Sequence, residues 1–147
     1  MTAVDIERVR HATDEVADAL RRLLPQLSES AKLPGAERLS DLVSWPGVHL
    51  LVARVAGEIV GTLTLVTFPT ATGVRAHIED VVVDAAARGH GAASALLRKA
   101  ERLAREAGAP SMELTSRPAR EAANRLYRSY GFELRSTNAY RLALDGP

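Results

Sequence analysis

Apolar residues near the start of the chain recur at steps of three and four, which place side chains on one face of a helix. The apolar positions are Val16, Leu20, Leu23 and Leu24. Thr13 fits the N-cap of this helix, and Pro25 marks its predicted end. The pattern also predicts a short strand over Ile6–Arg10 and a second short helix over Ala36–Val43.

After residue 47 the pattern changes to runs of Val, Leu, Ile and Thr, which are typical of strands. Val48–Val55 and Ile59–Phe68 predict a β-hairpin, with Ala56-Gly57 in its turn. A third strand is predicted over Ala76–Val83, which ends in three consecutive valines.

The second half of the chain returns to helical periodicity. An amphipathic helix is predicted to begin at Gly89–Gly91 and to end at Gly108. The remaining predicted elements are a strand over Ser111–Thr115, a helix over Arg120–Tyr130, and strands over Phe132–Leu134 and Asn138–Leu144. This order predicts an α/β sandwich, with a mixed sheet of six or seven strands and four helices, in a single domain spanning residues 1–147.

Composition narrows the class of protein. The chain has 147 residues, 46% of them hydrophobic, which suits one globular domain. A net charge of +1 argues against a dedicated nucleic-acid binder. The absence of cysteine excludes disulfides, thiolate metal sites and cysteine nucleophiles. No apolar run approaches the ~18 residues that span a bilayer, and the N-terminal residues lack a signal-like apolar core, so we expect a cytoplasmic protein with no membrane partner.

The segment His77–Ala93 carries the clearest chemical signal. A strand runs into a glycine-containing turn that opens a helix, where free first-turn N–H groups and the helix dipole favour an anion. Arg88 adds a positive charge, and Gly89 and Gly91 permit positive φ and close approach of a ligand. Neither the third glycine of the dinucleotide fingerprint nor a Gly-Lys-Ser/Thr loop is present. A different pyrophosphate-bearing ligand is therefore predicted.

This segment resembles the signature Q/R-x-x-G-x-G/A of the GNAT superfamily of acyl-CoA-dependent N-acyltransferases. Arg88, Gly91 and Ala93 occupy its three fixed positions. A second family element, A-x-x-L-Y-x-x-x-G-F, is matched over Ala123–Phe132, and the resemblance covers essentially the whole chain. It implies a GNAT-type sandwich splayed at the cofactor site, acetyl-CoA as co-substrate without a metal, and an enzyme that transfers acetyl to a primary amine by direct attack in a ternary complex.

The resemblance also implies roles for individual residues. The backbone of Val81, Val82 and Val83 is expected to pair with the pantetheine, as a missing strand would. The expected pyrophosphate-binding residues are Arg88, Gly89, His90, Gly91, Ala92 and Ala93. Tyr127 is expected to act as general acid toward the leaving sulfur. Many relatives have a cofactor-binding asparagine where this chain has Arg120, so either Asn124, one turn on, or Arg120 itself is expected to take that role.

The attacking amine needs a general base, because an amine with a pKa near 10.4 is almost fully protonated at pH 7. Glu79 is the predicted base. Strand alternation predicts that positions 77, 79, 81 and 83 share one face, so His77 can orient Glu79 while Asp80 faces the opposite side in a structural role. Glu113, on the next predicted strand, is the competing base.

Three functions from different classes follow from these observations. The first is an acetyltransferase for the amine of a small molecule or a protein, and the second is a non-catalytic acyl-CoA-binding sensor. The third, a toxin-type acetyltransferase of aminoacyl-tRNA, is disfavoured because the chain lacks a strong basic excess. The predicted acid and base favour the first. The sequence specifies neither the acceptor nor the oligomeric state, which we leave open between monomer and homodimer.

Overall fold

Five strands form one sheet in the order β1-β2-β3-β4-β5 in the computed structural model, which describes residues 3–146. The strands are β1 Val4–Arg8, β2 Val48–Val55, β3 Glu58–Thr70, β4 Gly73–Val83 and β5 Met112–Glu113. The helices are α1 Asp14–Leu27, α2 Ala36–Ser44, α3 Ala92–Glu106 and α4 Glu121–Tyr130. Strands β1 to β4 are antiparallel and β5 is parallel to β4, which confirms the predicted mixed α/β sheet.

The chain divides into two compact units, one ending at Thr115 and the other beginning at Ser116. The first contains the whole sheet with α1, α2 and α3, and the second contains α4.

Helices cover both faces of the sheet in the first unit. Helices α1 and α2 form a core cluster with one face of the sheet. The buried members of this cluster are Val9, Val16, Ala19, Leu20, Leu23, Leu39, Leu50, Val52, Ile59 and Val82. Helix α3 packs on the other face, where a Cβ added at Gly61 would lie 3.1 Å from the Val83 side chain and 3.4 Å from that of Leu96. Gly61 therefore lets α3 approach the sheet closely.

Helix α1 begins as predicted but ends later. The Thr13 side chain accepts a hydrogen bond from the Val16 N–H at 3.3 Å, as an N-cap does. Pro25 lies inside the last turn, and the helix continues to Leu27. The predicted stop was wrong because a proline this close to the end removes only one helical hydrogen bond, and the Ser28 N–H still reaches the Leu24 carbonyl.

A β-bulge in β4 changes which side chains share a face. The register with β3 pairs Val82 with Thr62 and Glu79 with Thr64, so two residues, Asp80 and Val81, oppose one. Directly paired residues share a face, and Thr62 and Thr64 lie on the same face of β3. Glu79 therefore shares its face with Val82. The expectation that it faces with Val81 and Val83 was wrong, because simple alternation does not hold across a bulge.

The final two predicted strands are absent from the second unit. No strand occurs between Gly131 and Gly146, although the alternating apolar residues of this segment gave it a strand pattern. Those side chains are exposed, Leu134 to 96% and Tyr140 to 91%. The predicted Ser111–Thr115 strand is reduced to β5. Strand preference depends on pairing as much as on pattern, so the described sheet has five strands, fewer than predicted.

Candidate active site

A cavity of about 450 Å³ opens on the sheet face that α1 and α2 cover. Its apolar lining includes Leu20, Leu24, Leu42, Val48, Leu50 and Val66. Its polar lining consists of Lys32, Arg38, Asp41, Thr62, Thr64, Glu79 and Asp80. All of these residues belong to the first unit, and the cavity is large enough for a small molecule.

The bulge in β4 brings two carboxylates onto the wall of this cavity. Glu79 and Asp80 both line it, although consecutive residues of a regular strand point to opposite faces. Asp80 has a φ of +52°, a left-handed conformation that aspartate adopts more readily than most residues do. The prediction that Asp80 faces away from Glu79 was therefore wrong. Only the pairing of β3 with β4 reveals the bulge.

The two carboxylates have different surroundings. His77 Nε2 lies 2.9 Å from Glu79 Oε1, so the expected pairing of these side chains is present. Partial loss of solvation, followed by the negative charge of Glu79, raises the pKa of Asp80 above its ordinary value. A carboxylate with a raised pKa is a stronger base than an ordinary one, which gives Asp80 chemistry that the sequence analysis assigned to Glu79, with Glu113 as the competitor, and not to Asp80.

The loop between β4 and α3 has the backbone conformation that an anion site requires. Gly89 has a φ of +92°, and Gly91, the N-cap of α3, has a φ of +76°. A Cβ added at either glycine would meet no heavy atom within 4 Å, so the space beside the loop is open to a ligand. The first N–H groups of a helix have no intrahelical partner, and Gly91 has no side chain that could cap them. These residues fit a pyrophosphate.

The edge of β4 next to β5 is paired with a described strand over only a short stretch. Strand β5 pairs with β4 only at Ala76–Met112 and His77–Glu113. Beyond His77, β4 continues to Val83 with β3 as its single neighbouring strand among the described residues. The strands thus part before Val81–Val83, and the backbone edge that β5 leaves unpaired fits an extended chain with amide groups.

Helix α1 holds the start of the same loop through side chains that the sequence reasoning did not identify. Gln26 Oε1 accepts a hydrogen bond from the Ala85 N–H at 2.9 Å. Arg22 donates to the Ile59 carbonyl at 2.6 Å, and its Nε lies 3.7 Å from Asp84 Oδ2. Asp84 in turn accepts from the Ala86 N–H and caps the short 3₁₀ turn at Ala85–Ala87. Because Gln26 and Ala85 are 59 positions apart, no local pattern signals this contact.

Tyr127 lies on α4 in the second unit and is 7% exposed. Its ring contacts that of Phe132 edge-on, with the centroids 5.8 Å apart. Burial raises the pKa of Tyr127, while the charge of Arg120 and a side-chain hydrogen bond with it act in the opposite direction. The phenol therefore keeps its proton at neutral pH beside a cation that would stabilise the phenolate.

Asn124 uses its amide nitrogen inside the second unit. Asn124 Nδ2 donates to the carbonyls of Arg117 and Arg120 at 3.0 and 2.9 Å. These contacts hold the segment that precedes α4. The cofactor role of Asn124 stays a prediction. Arg120, which occupies the position of the asparagine found in many relatives, makes a side-chain hydrogen bond with Tyr127.

The structure groups the predicted residues in two sets. Glu79 lies on β4, and the residues from Arg88 to Ala93 follow it in the first unit. Tyr127 and Asn124 belong to the second. Glu113, the competing base, pairs with His77 in the β4–β5 ladder but is not among the described residues that line the cavity. Neither a membrane-spanning helix nor a cluster of three metal-ligating side chains occurs within residues 3–146.

Comparison with known proteins agrees with this geometry. The model of the Acetyltransferase (GNAT) family matches residues 15–132. The L-amino acid N-acetyltransferase AaaT of Escherichia coli (strain K12) is 30% identical over 141 residues, covering 88% of this chain and 84% of its own. The aminoalkylphosphonate N-acetyltransferase of Salmonella typhimurium (strain LT2) is 33% identical over 131 residues, covering 85% and 84%.

Solved structures share the fold. An aminoglycoside acetyltransferase, meta-AAC0020, from an uncultured soil metagenomic sample superposes with a TM-score of 0.81 at 23% identity, covering 95% of this chain and 96% of its own. An acetyltransferase of Trypanosoma brucei superposes with a TM-score of 0.75 at 28% identity, covering 97% and 100%. The chain therefore belongs to the acetyltransferase (GNAT) family and is an enzyme that transfers an acetyl group to an amine.

Proposed function

We propose that the acceptor is a primary amine of a small molecule, which attacks the thioester of acetyl-CoA directly while both are bound. The observation that carries this proposal is the cavity of about 450 Å³ with the carboxylates of Glu79 and Asp80 on its wall. Its volume lies in the range of small-molecule sites. The acceptors named for the two curated relatives, amino acids and aminoalkylphosphonates, are also small amines.

The acetyl donor would be held by backbone groups of the first unit. The open edge of β4 at Val81, Val82 and Val83 supports hydrogen bonds to the pantetheine amides. The loop of Arg88, Gly89, His90 and Gly91 and the first turn of α3 at Ala92 and Ala93 support a pyrophosphate, with the Arg88 guanidinium as an added charge. Bound acetyl-CoA supplies an activated acyl carbon and a thiolate leaving group.

Glu79 is the proposed general base. Only about one amine in a thousand is neutral at pH 7 when the amine pKa is near 10.4, so a base beside the nitrogen increases the reactive fraction. His77 holds the Glu79 carboxylate at 2.9 Å and acts as a positioning residue. Asp80 is the second candidate, favoured by its raised pKa and by its place on the same wall. A backbone N–H within Val81–Val83 would bind the oxyanion as the C–N bond forms.

Tyr127 is the proposed general acid, which donates its phenolic proton to the sulfur as the C–S bond breaks. Support comes from its buried, protonated phenol, from the neighbouring Arg120, and from its place in the family motif. The guanidinium of Arg120 would stabilise the phenolate left after proton donation. Arg120→Gln should therefore lower kcat, whereas Arg120→Lys should lower kcat less, because lysine keeps the positive charge.

Two measurements test the proposal. Calorimetry should show stoichiometric binding of acetyl-CoA, and ligand at one hundred times its Kd should stabilise the fold by about 2.7 kcal/mol. A panel of amines is then screened by following the CoA thiol. Because the chain contains no cysteine, a thiol reagent reports only released CoA. Binding without turnover on any amine would instead support the sensor function, and no binding at millimolar acetyl-CoA would contradict both.

A further inference from the structure

Two cations on the cavity wall have no part in the acetyl-transfer steps. Lys32 comes from the loop before α2 and Arg38 from the first turns of α2 itself. Within residues 3–146 neither side chain makes an ion pair or a hydrogen bond. The guanidinium and ammonium groups are therefore available to a ligand that enters the cavity.

Opposite charges come from different parts of the cavity wall. Glu79 lies on β4 immediately before its bulge and Asp80 lies in the bulge, whereas Lys32 and Arg38 come from α2 and the loop before it. Asp41 also lies on α2, three residues after Arg38, and is not paired with it by an ion pair of 4.0 Å or less. A ligand whose ammonium meets the β4 carboxylates can therefore extend a second, negative group toward the α2 cations.

We propose that the acceptor is an amine that also carries an anionic group, a carboxylate or a phosphonate, and that Lys32 and Arg38 bind this anion. This inference rests on the proposed function, because it uses the amine position that Glu79 and Asp80 define. A guanidinium binds planar or tetrahedral oxyanions through two parallel hydrogen bonds, which favours Arg38 as the main anchor. Apolar residues that line the same cavity, Leu24, Leu42 and Val48 among them, would contact the carbon skeleton.

The binding of an anion by Lys32 and Arg38 is tested with pairs of acceptors in which one member carries the anionic group and the other is a related amine without it. L-leucine is compared with L-leucinamide, L-phenylalanine with L-phenylalaninamide, and aminomethylphosphonate with methylamine. The kcat/KM of each is measured by release of CoA, and the ratio of anionic to uncharged acceptor is taken for each pair. The carboxylate and phosphonate pairs separate the two sources of the anion.

The same ratios are measured in Lys32→Gln and Arg38→Gln. Comparing ratios between variants cancels the difference in amine basicity within a pair. A charge-assisted contact predicts that the ratio falls at least tenfold in Arg38→Gln and severalfold in Lys32→Gln, mainly through KM. Arg102→Gln, on the exposed side of α3, removes a cation of the same type outside the cavity and should leave the ratio unchanged.

The outcomes separate this inference from the proposed function. The inference is overturned, and the proposed function stands, if uncharged amines are acetylated with the same kcat/KM as their anionic partners and neither substitution changes the ratio. A lack of transfer to every amine tested, with acetyl-CoA bound, would overturn the proposed function and the inference with it. A fall in the ratio of anionic to uncharged acceptor in the Arg102→Gln control would also contradict the inference, because the effect would not come from the cavity.

Discussion

His77 Nε2 and Glu79 Oε1 lie 2.9 Å apart on the same side of β4, immediately before its bulge. Their contact restricts the Glu79 carboxylate at the cavity wall, while the bulge adds Asp80 to that wall. A base held by a second residue loses less freedom on reaching the amine, which is the physical advantage of the pair.

Replacement of Glu79 by Gln should lower kcat/KM by about 10²–10⁴-fold, the usual contribution of a general base. Glu113→Gln is the matched control, since Glu113 lies outside the lining of the cavity. A large loss in Glu113→Gln or Asp80→Asn, with Glu79→Gln near normal, would move the base to that residue.

Asp80→Asn should raise the Tm at pH 7. The pKa of Asp80 is raised in the folded state, so as pH rises Asp80 loses its proton more readily in the unfolded chain than in the folded one. Ionisation of Asp80 therefore lowers the stability of the fold as pH rises. The gain from Asn should therefore be present at neutral pH and vanish below about pH 4, where Asp80 is protonated in both states. Asparagine also tolerates the φ of +52°. The exposed substitution Asp5→Asn is the control and should leave the Tm unchanged. Equal Tm values for Asp80→Asn and the wild type at pH 7, or a gain in Tm that grows in acid, would contradict the prediction.

Tyr127→Phe should lower kcat by about 10²–10⁴-fold with little change in the KM for acetyl-CoA. Phenylalanine keeps the edge-on contact with Phe132 and removes only the hydroxyl. Tyr140→Phe removes a hydroxyl from a residue that is 91% exposed and should leave kcat unchanged. A loss of less than threefold in Tyr127→Phe, with chemistry shown to be rate-limiting, would remove the residue from the mechanism.

Gln26→Ala should weaken acetyl-CoA binding severalfold while the kcat at saturating donor changes little. The substitution removes the acceptor of the Ala85 N–H and loosens the start of the loop that leads to Gly89 and Gly91. Calorimetric titration of the variant gives its Kd directly. Arg21→Ala, an exposed position on the same helix, is the control. Unchanged affinity in Gln26→Ala would show that the loop keeps its shape without α1.

Gly91→Val should raise the Kd for acetyl-CoA at least tenfold. A β-branched residue is strained at a φ of +76°, and its side chain would enter the open space beside the loop that is proposed to bind the pyrophosphate. Gly108→Val carries the same backbone strain at the other end of α3, where φ is +84° and the space is also open. Both variants should lose stability, and only Gly91→Val should lose affinity. Equal affinity losses would mean that the effect is unfolding and that ligand access is not involved.

The sequence by itself determined the features that depend on near neighbours. The spacing of Arg88, Gly91 and Ala93 predicted a turn at the start of a helix, and Gly89 and Gly91 adopt the positive φ expected there. The binding of phosphate by this turn stays a prediction. The capping of α1 by Thr13 and the position of Tyr127 on α4 were likewise readable from periodicity. These features involve residues within one or two turns of each other, so local chemistry specifies them.

Tertiary structure decided the features that depend on pairing between distant segments. The bulge that places Asp80 beside Glu79 follows from the register of β3 against β4, and no alternation within one strand can reveal it. The hydrogen bond from Ala85 to Gln26 joins positions 59 residues apart. The strand pattern after Gly131 produced no strand among the described residues, because an alternating segment becomes a strand only when its backbone groups are paired.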